Sequence, residues 1–370
     1  MRPVIFLFIF FLFIGLLVGA NIYLPQRFAW YFGIGNTALL NIISVGITIF
    51  MIAGIIIFSN SISQTGSLLY RIAAITLGTM LYLLLSVLFV DLLHFFIQVE
   101  PRYYGIASIS ITILISIYGI WNAFNLKVTK LEIPVKGLVE EVRAMHLSDI
   151  HIGHFRGKDF LQKIVDKTNK QNPDVIFLTG DLFDGKIKIH EEIIEPLTRL
   201  KAPLFFVEGN HDGYSGVAKI KAMLKKNKIH VLANELVQWN GLQIVGLNHM
   251  LADHNSVNIH ADGVRATIKS VLQILPIVKD QPSILLHHSP DGIQYASEKG
   301  IDLYLSGHTH AGQLFPINYI SEWLFVYNRG LHNYNGTRIF VSQGAGTFGP
   351  PMRVATKSEI TLVKLVPENK

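Results

Sequence analysis

The stretch IDLYLSGHTHAGQ, residues 301–313, runs from an apolar segment straight into two histidines, His308 and His310, two positions apart. The apolar part reads as a strand buried on both faces, and the glycine after it lets the chain turn sharply. On its own the histidine pair is ambiguous. It can ligate a metal, fill a polar gap or sit on a solvated loop. The question is whether the rest of the chain supplies partners in the same kind of place.

Four other apolar runs end the same way. VRAMHL (142–147) leads into SDIHIG, with Asp149 and His151, and DVIFLT (174–179) into GDLFDG, with Asp181 and Asp184. PLFFVE (203–208) leads into GNHDG, with Asn210, His211 and Asp212, and SILLHHSPDG (283–292) carries His287 and His288. Helical stretches are expected at 157–171, 189–201, within 214–227 and around 263–275, and further strands at 242–247, 337–342 and 359–365. The alternation is βαβ-like, with a strand-rich ending that calls for two packed sheets flanked by helices. In such folds the carboxyl ends of the strands converge on one crevice. Asp, Asn and Gly are ordinary turn formers, which accounts for one such turn. It does not account for five that also carry imidazole or paired carboxylates. Oxygen and imidazole donors without thiolate suit Mn, Fe or Zn over a Ca- or Mg-only site. The donors outnumber what one tetrahedral ion needs, which points to two bridged ions acting on a phosphoryl group.

Composition bounds the rest. The chain has 370 residues, half of them apolar, and no cysteine. Disulfides, thiolate metal sites and cysteine nucleophiles are therefore excluded. A formal charge of +6 without a dense basic stripe gives no footing for nucleic-acid binding. Charge is unevenly spread: residues 1–126 hold four arginines, no lysine and two acidic residues. Apolar runs at about 3–20, 39–58, 72–90 and 103–121 are each long enough to cross a bilayer. The first run is expected to be a retained span, not a cleaved signal peptide. The expected organisation is a four-helix transmembrane domain over 1–126, a juxtamembrane link over 127–141 and a catalytic domain over 142–370. Arg2, Arg71, Lys127, Lys130 and Lys136 flank one side of the spans, and Arg27 and Arg102 the other, which favours a cytoplasmic catalytic domain. No ionised cluster is evident inside the spans; Asp91 and His94 read as interfacial.

The five motifs, in this order, resemble the calcineurin-like metallophosphoesterase superfamily, whose pattern is D-x-H, G-D-x-x-D, G-N-H-[DE], a later histidine and G-H-x-H. More narrowly, the chain is similar to a membrane-associated bacterial branch that includes UDP-2,3-diacylglucosamine hydrolase-like enzymes. The resemblance covers roughly 142–365 and implies a four-layer α-β-β-α sandwich behind a multi-span helical anchor. It implies that Asp149, His151 and His310 hold one divalent ion, that Asp181 bridges, and that Asn210, His287 and His308 complete the second site. His288 is the alternative to His287, since neighbours on a strand face opposite ways. His211 would serve the leaving group, oriented by Asp184, while Asp212 supports the turn. Manganese is the expected metal, with iron or zinc as alternatives. Ala311 stands where the family usually has glycine, and Gln313 fits either pocket edge or turn support.

The tether points to the bilayer as partner and to a lipid-linked phosphodiester or pyrophosphate as substrate. A tethered phosphatase or cyclic-nucleotide phosphodiesterase is the alternative, and a non-enzymatic metal-binding scaffold a third reading. Within INYISEWLFVYNRGLHNYNG (317–336), Trp323, Leu324, Phe325 and Tyr327 could form a lipid-facing edge with Arg329 for phosphate, or a strand of the second sheet. His254 and His260 could border the pocket or lie on a solvated loop.

Overall fold

The computed structural model describes residues 2–185, 190–254, 256 and 266–368. The chain forms two compact units, Met1–Trp121 with Gly349–Met352, and Asn122–Phe348 with Arg353–Lys370. The first contains α1 (Arg2–Phe32), α2 (Ala38–Phe58), α3 (Gln64–His94) and most of α4 (Pro101–Phe124). Each is long and apolar enough to cross a membrane, making this a multi-pass membrane protein. The candidate span in α1 is Phe11–Phe32, so the helix runs well beyond the first apolar block, through Pro25. It continues because its polar residues find partners. Asn21 donates to Thr48 at 2.9 Å and accepts from Ser44 at 2.9 Å. Arg27 pairs with Asp91, which also accepts from Tyr23 and, at 2.8 Å, from Tyr31. An ionised cluster therefore does lie within the helical unit. Its charges are matched, as burial among helices requires.

The second unit opens with β1 (Lys127–Val135), within the stretch expected to be a link. Then follow β2 (Val142–Leu147), α5 (Lys158–Asn169), β3 (Val175–Thr179), α6 (Glu191–Ile194) and β4 (Leu204–Val207). Next come α7 (Asn210–Ser215), α8 (Val217–Lys226), β5 (His230–Val231), β6 (Glu235–Trp239) and β7 (Leu242–Gly246). After these come α9 (Ile268–Ile274), β8 (Ser283–Leu286), α10 (Ile293–Glu298), β9 (Leu303–Ser306) and α11 (Ile317–Leu324). The chain ends with β10 (Gly330–Tyr334), β11 (Thr337–Val341) and β12 (Glu359–Pro367). One sheet has the order β1-β12-β2-β3-β4-β5 and the other β10-β11-β9-β8-β7-β6. Strands β2 to β5 are parallel, as are β7, β8, β9 and β11. β1 pairs parallel with β12 over nine residues and closes the edge of the first sheet.

The strands are apolar on both sides because each sheet is covered on both sides. Phe177, Phe205, Ile284, Leu286 and Leu305 meet between the sheets. Leu161, Ile164 and Leu224 from α5 and α8 cover Ile176 and Leu178 on the outside of the first sheet. Val271 and Ile293 from α9 and α10 cover Leu285 and Tyr304 on the outside of the second. This is the four-layer α-β-β-α arrangement. The last turn of α4 is bound into the same unit. Its Ala123 carbonyl accepts from Arg156 at 3.0 Å and Ser358 at 2.7 Å, and its Phe124 carbonyl from Lys163 at 2.9 Å. Cationic donors at a helix C-terminus satisfy the carbonyls the helix leaves open.

Two glycines bring the strand-end turns close enough to meet. A Cβ on Gly307, after β9, would lie 2.1 Å from Oδ2 of Asp149. One on Gly209, after β4, would lie 2.1 Å from Oδ1 of Asp181. Gly307→Ala is expected to destabilise this unit by about 1–3 kcal/mol through overpacking. Gly213→Ala, at an exposed helical site with nothing within 4 Å, should be neutral. Thermal melts of the full-length protein in detergent check both.

Candidate metal centre

The strand ends deliver their polar residues to one place. Asp149 and His151 follow β2, Asp181 and Asp184 follow β3, Asn210 and His211 begin α7, His288 follows β8, and His308 and His310 follow β9. Ligand atoms of Asp149, His151 and His310 lie within 4.8 Å of one another, and so do those of Asp149, Asp181 and His288. A third group, His151, Asp184 and His211, adjoins them. Two closely spaced donor clusters that share Asp149 could hold two metal ions.

The individual contacts fit a cation. Nε2 of His310 lies 3.0 Å from Nε2 of His151 and 3.4 Å from Oδ1 of Asp149. Arg353, always a donor, gives a hydrogen bond to Nδ1 of His310 at 3.1 Å, so a proton or a cation must sit on the Nε2 side. His288 donates from Nδ1 to the Thr179 carbonyl at 2.7 Å, which turns its Nε2 toward Oδ2 of Asp181 at 3.1 Å. Imidazole nitrogens and carboxylate oxygens facing one another in a buried site repel unless a proton or a cation lies between them. Asn210 and His308 stand beside this group, with Oδ1 of Asn210 3.1 Å from Nδ1 of His308. The His308 ring is 5.0 Å from that of His288.

Of the two adjacent histidines, it is His288 and not His287 that lies among the carboxylates. Residues 284, 286 and 288 share the face of β8 that looks between the sheets, whereas Leu285 and His287 look to the outer layer. His287 bonds the Ser289 carbonyl at 2.7 Å and the Tyr304 hydroxyl at 2.9 Å and takes no place among the carboxylates. The two neighbours are electrostatic opposites. Burial pushes His287 down to about 4. Burial also opposes charge on His288, but the Asp181 and Asp149 carboxylates prevail and raise it to about 9.

The other candidates fall as follows. Asp184 accepts from Nδ1 of His211 at 3.1 Å. Burial opposes the charged form of His211, yet Asp181 and Asp184 lift it to about 9. Oδ2 of Asp212 accepts from the backbone of Asp181 and Gly209, each at 2.9 Å, and its Oδ1 from Phe183 at 3.2 Å, so it ties the β3 and β4 turns together. Gln313 bonds both the N–H and the carbonyl of Phe348, at 3.2 and 3.1 Å, and holds that ring 5.1 Å from His310. Ala311 is buried and takes a positive φ of 53°, the conformation glycine adopts more easily. His254 is exposed, and His260 lies outside the described residues. Arg329 pairs with Glu322 at 3.0 Å.

Two residues were not foreseen. Arg353 is fully buried and contacts His310 as well as the carbonyls of Gln343 and Gly346; nothing in its local sequence marks it. His249 has its ring 5.8 Å from His288 and 5.9 Å from His308. It follows β7 in GLNHM, a polar turn after an apolar strand, so the signal that located the other five motifs was present there too.

The family described as calcineurin-like phosphoesterase matches residues 142–312. An uncharacterized metallophosphoesterase of Helicobacter pylori is 34% identical over 247 residues, 66% of this chain and 65% of that protein. A Danio rerio transmembrane protein with a metallophosphoesterase domain is 33% identical over 279 residues, 70% of this chain and 62% of its own. The match thus spans a little under two thirds of each of these relatives. An uncharacterized metallophosphoesterase of Aquifex aeolicus is 32% identical over 266 residues, 69% of this chain and 97% of its own. Ordered motifs, layered sheets, clustered donors and these relatives agree: the chain belongs to the calcineurin-like metallophosphoesterases.

Proposed function

We propose that the protein hydrolyses a lipid-linked phosphodiester or pyrophosphate, the chemistry of UDP-2,3-diacylglucosamine hydrolase-like enzymes, at a two-metal centre facing the cytoplasm. The observation that carries the hydrolytic part is the convergence of Asp149, His151, Asp181, His288 and His310 in two donor groups. The lipid part is supported by the four membrane helices, the last of which leads into the catalytic unit with only residues 125 and 126 before β1. The lysines at 127, 130 and 136 support the cytoplasmic side.

On this reading Asp149, His151, Asp181 and His310 would hold one ion, and Asp181, Asn210, His288 and His308 the other. Two divalent ions bound there, manganese on this reading, would supply a water of lowered pKa and positive charge for the phosphoryl oxygens. Asp184 engages Nδ1 of His211, so the proton this imidazolium can hand on is the one at Nε2. The Asp184 carboxylate on Nδ1 favours the imidazolium form of His211, the form that a donor to the departing oxygen needs. The ring lies 4.8 Å from His151, next to the ligands it would serve. Phe348 and Phe325 face His310 and His308 and give the site apolar walls.

Three outcomes are expected. His288→Ala should lower bound manganese from two ions per chain to one, while His287→Gln leaves two, as read by elemental analysis of reconstituted protein. Asp181→Asn should reduce phosphodiester turnover by more than about a hundredfold, beyond what loss of a supporting residue costs. In a panel run with manganese-reconstituted protein, lipid-linked phosphodiesters and nucleotide-sugar lipids should give a kcat/KM at least ~10-fold above simple aryl phosphates, a gain of about 1.4 kcal/mol. Equal values would favour a tethered phosphatase or cyclic-nucleotide phosphodiesterase instead.

A further inference from the structure

The helix that follows the G-H-x-H turn is built inside out. In α5 the buried face is Phe160, Leu161, Ile164 and Val165, as in any helix covering a sheet. In α11 the buried side chains are Asn318 and Ser321, at 5% and 6% exposure, while Tyr319 and Trp323 are 61% and 62% exposed. Ser321 donates to Oδ1 of Asn328 at 2.7 Å, so the polar face is engaged inside the protein. Phe315 and Ile317 extend the exposed apolar face on one side and Val326, 81% exposed, on the other. The Phe315 and Tyr319 rings lie 6.0 Å apart, which joins these two into an apolar stripe; Glu322, the one charged residue of α11, is also exposed and pairs with Arg329.

The stripe is fixed to the metal centre. Gly312, two residues past His310, approaches the Asn318 backbone so closely that a Cβ there would lie 2.5 Å from its Cα. Phe325, at the other end of α11, lies edge-on to His308 with ring centroids 5.8 Å apart. Any displacement of α11 is therefore felt at the ligands. This revises the lipid-facing edge expected from sequence. Trp323 belongs to it, but Tyr327 packs against the outer core of the second sheet.

We propose that α11 is an interfacial helix, and that Phe315, Ile317, Tyr319, Trp323 and Val326 seat in the headgroup–acyl boundary of the membrane in which the chain is anchored. Three features select a bilayer as the occupant. The pattern of polar residues inward and apolar residues outward is the reverse of what water favours. Trp and Tyr are the side chains suited to a boundary that is apolar at one end and wet at the other. The chain carries its own membrane, because α1 to α4 span it and two residues separate α4 from β1. The seating rests on the anchoring, not on the identity of the substrate. If the substrate is a lipid, it enters a site whose rim already lies at headgroup depth.

The absence of cysteine makes the test direct. Tyr319→Cys and Trp323→Cys, each spin-labelled in the full-length protein, are reconstituted in vesicles of phosphatidylethanolamine and phosphatidylglycerol. Glu298→Cys, on α10, is the reference. Labels at 319 and 323 should relax more with oxygen than with a water-soluble nickel chelate, and the label at 298 the reverse. Labels at 319 and 323 open to the nickel chelate overturn the seating. So does shielding from both reagents, which would mean that a second copy or another protein covers the stripe. A Tyr319→Ser, Trp323→Ser double variant separates this inference from the lipid-substrate reading. It should keep its rate on a soluble aryl phosphodiester within twofold and lose at least tenfold on a lipid phosphodiester presented in vesicles. Inserted labels in a protein that prefers soluble substrates would leave the seating intact and remove the lipid substrate.

Discussion

Two carboxylates, Asp149 and Asp181, are buried at the mouths of adjacent parallel strands, and the surrounding structure answers to that constraint. An ionised carboxylate taken out of water loses several kcal/mol of solvation unless charge and hydrogen bonds replace it. The replacements come from distant parts of the chain. The N–H of His308 reaches Asp149, and the N–H of His211 reaches Asp181 at 2.9 Å. Imidazoles from the β2, β8 and β9 turns complete the ring. These demands bend the backbone. Of the fourteen described non-glycine residues with positive φ, seven are Asp149, His151, Asp181, His308, His310, Ala311 and Gln313. Four of the other seven are asparagines, for which that conformation is cheap. The strain is concentrated where the donors must converge.

Strands were legible because burial on both faces leaves uninterrupted apolar runs, and the motifs because each such run ends in the same kind of polar turn. Which of two adjacent histidines enters the site was not legible. Ile284, Leu285 and Leu286 are all apolar, so the sequence of β8 does not say which face looks between the sheets and which under the helices. β1 was hidden for another reason. KVTKLEIPV alternates charged and apolar residues, as suits an edge strand with one covered face, and two lysines and a glutamate make it resemble a solvated link. That 317–324 is a helix and not a strand was hidden because the residues it buries, Asn318 and Ser321, are polar, so no apolar helical period marks it.

Asp212 and Arg353 show how much of the centre lies outside its motifs. Asp212 touches no ligand nitrogen; it gathers three backbone N–H groups from the turns that carry Asp181 and Asn210. Burial, then the nearby Asp181 charge, pushes its own carboxyl up to about 7. Arg353 approaches from the far end of the chain and makes contact with a ligand's ring and its carbonyl together. Charged residues this deeply buried are stable only with several partners, and each partner here is a loop that the metal centre needs in place.

The last turn of α4 is held by Arg156, Lys163 and Ser358, and β1 starts three residues after the helix ends and zips along β12 for nine residues. In polymer terms the stretch between α4 and β1 is too short to count as a linker. A loose chain of twenty residues would have a root-mean-square span of roughly 25 Å and would spread the domain through the corresponding volume. Here the stretch between helix and strand is two residues, whose fully extended contour is only about 7 Å. A connection that short adds almost no reach of its own, so the helix and the first strand are neighbours along the chain in the most literal sense.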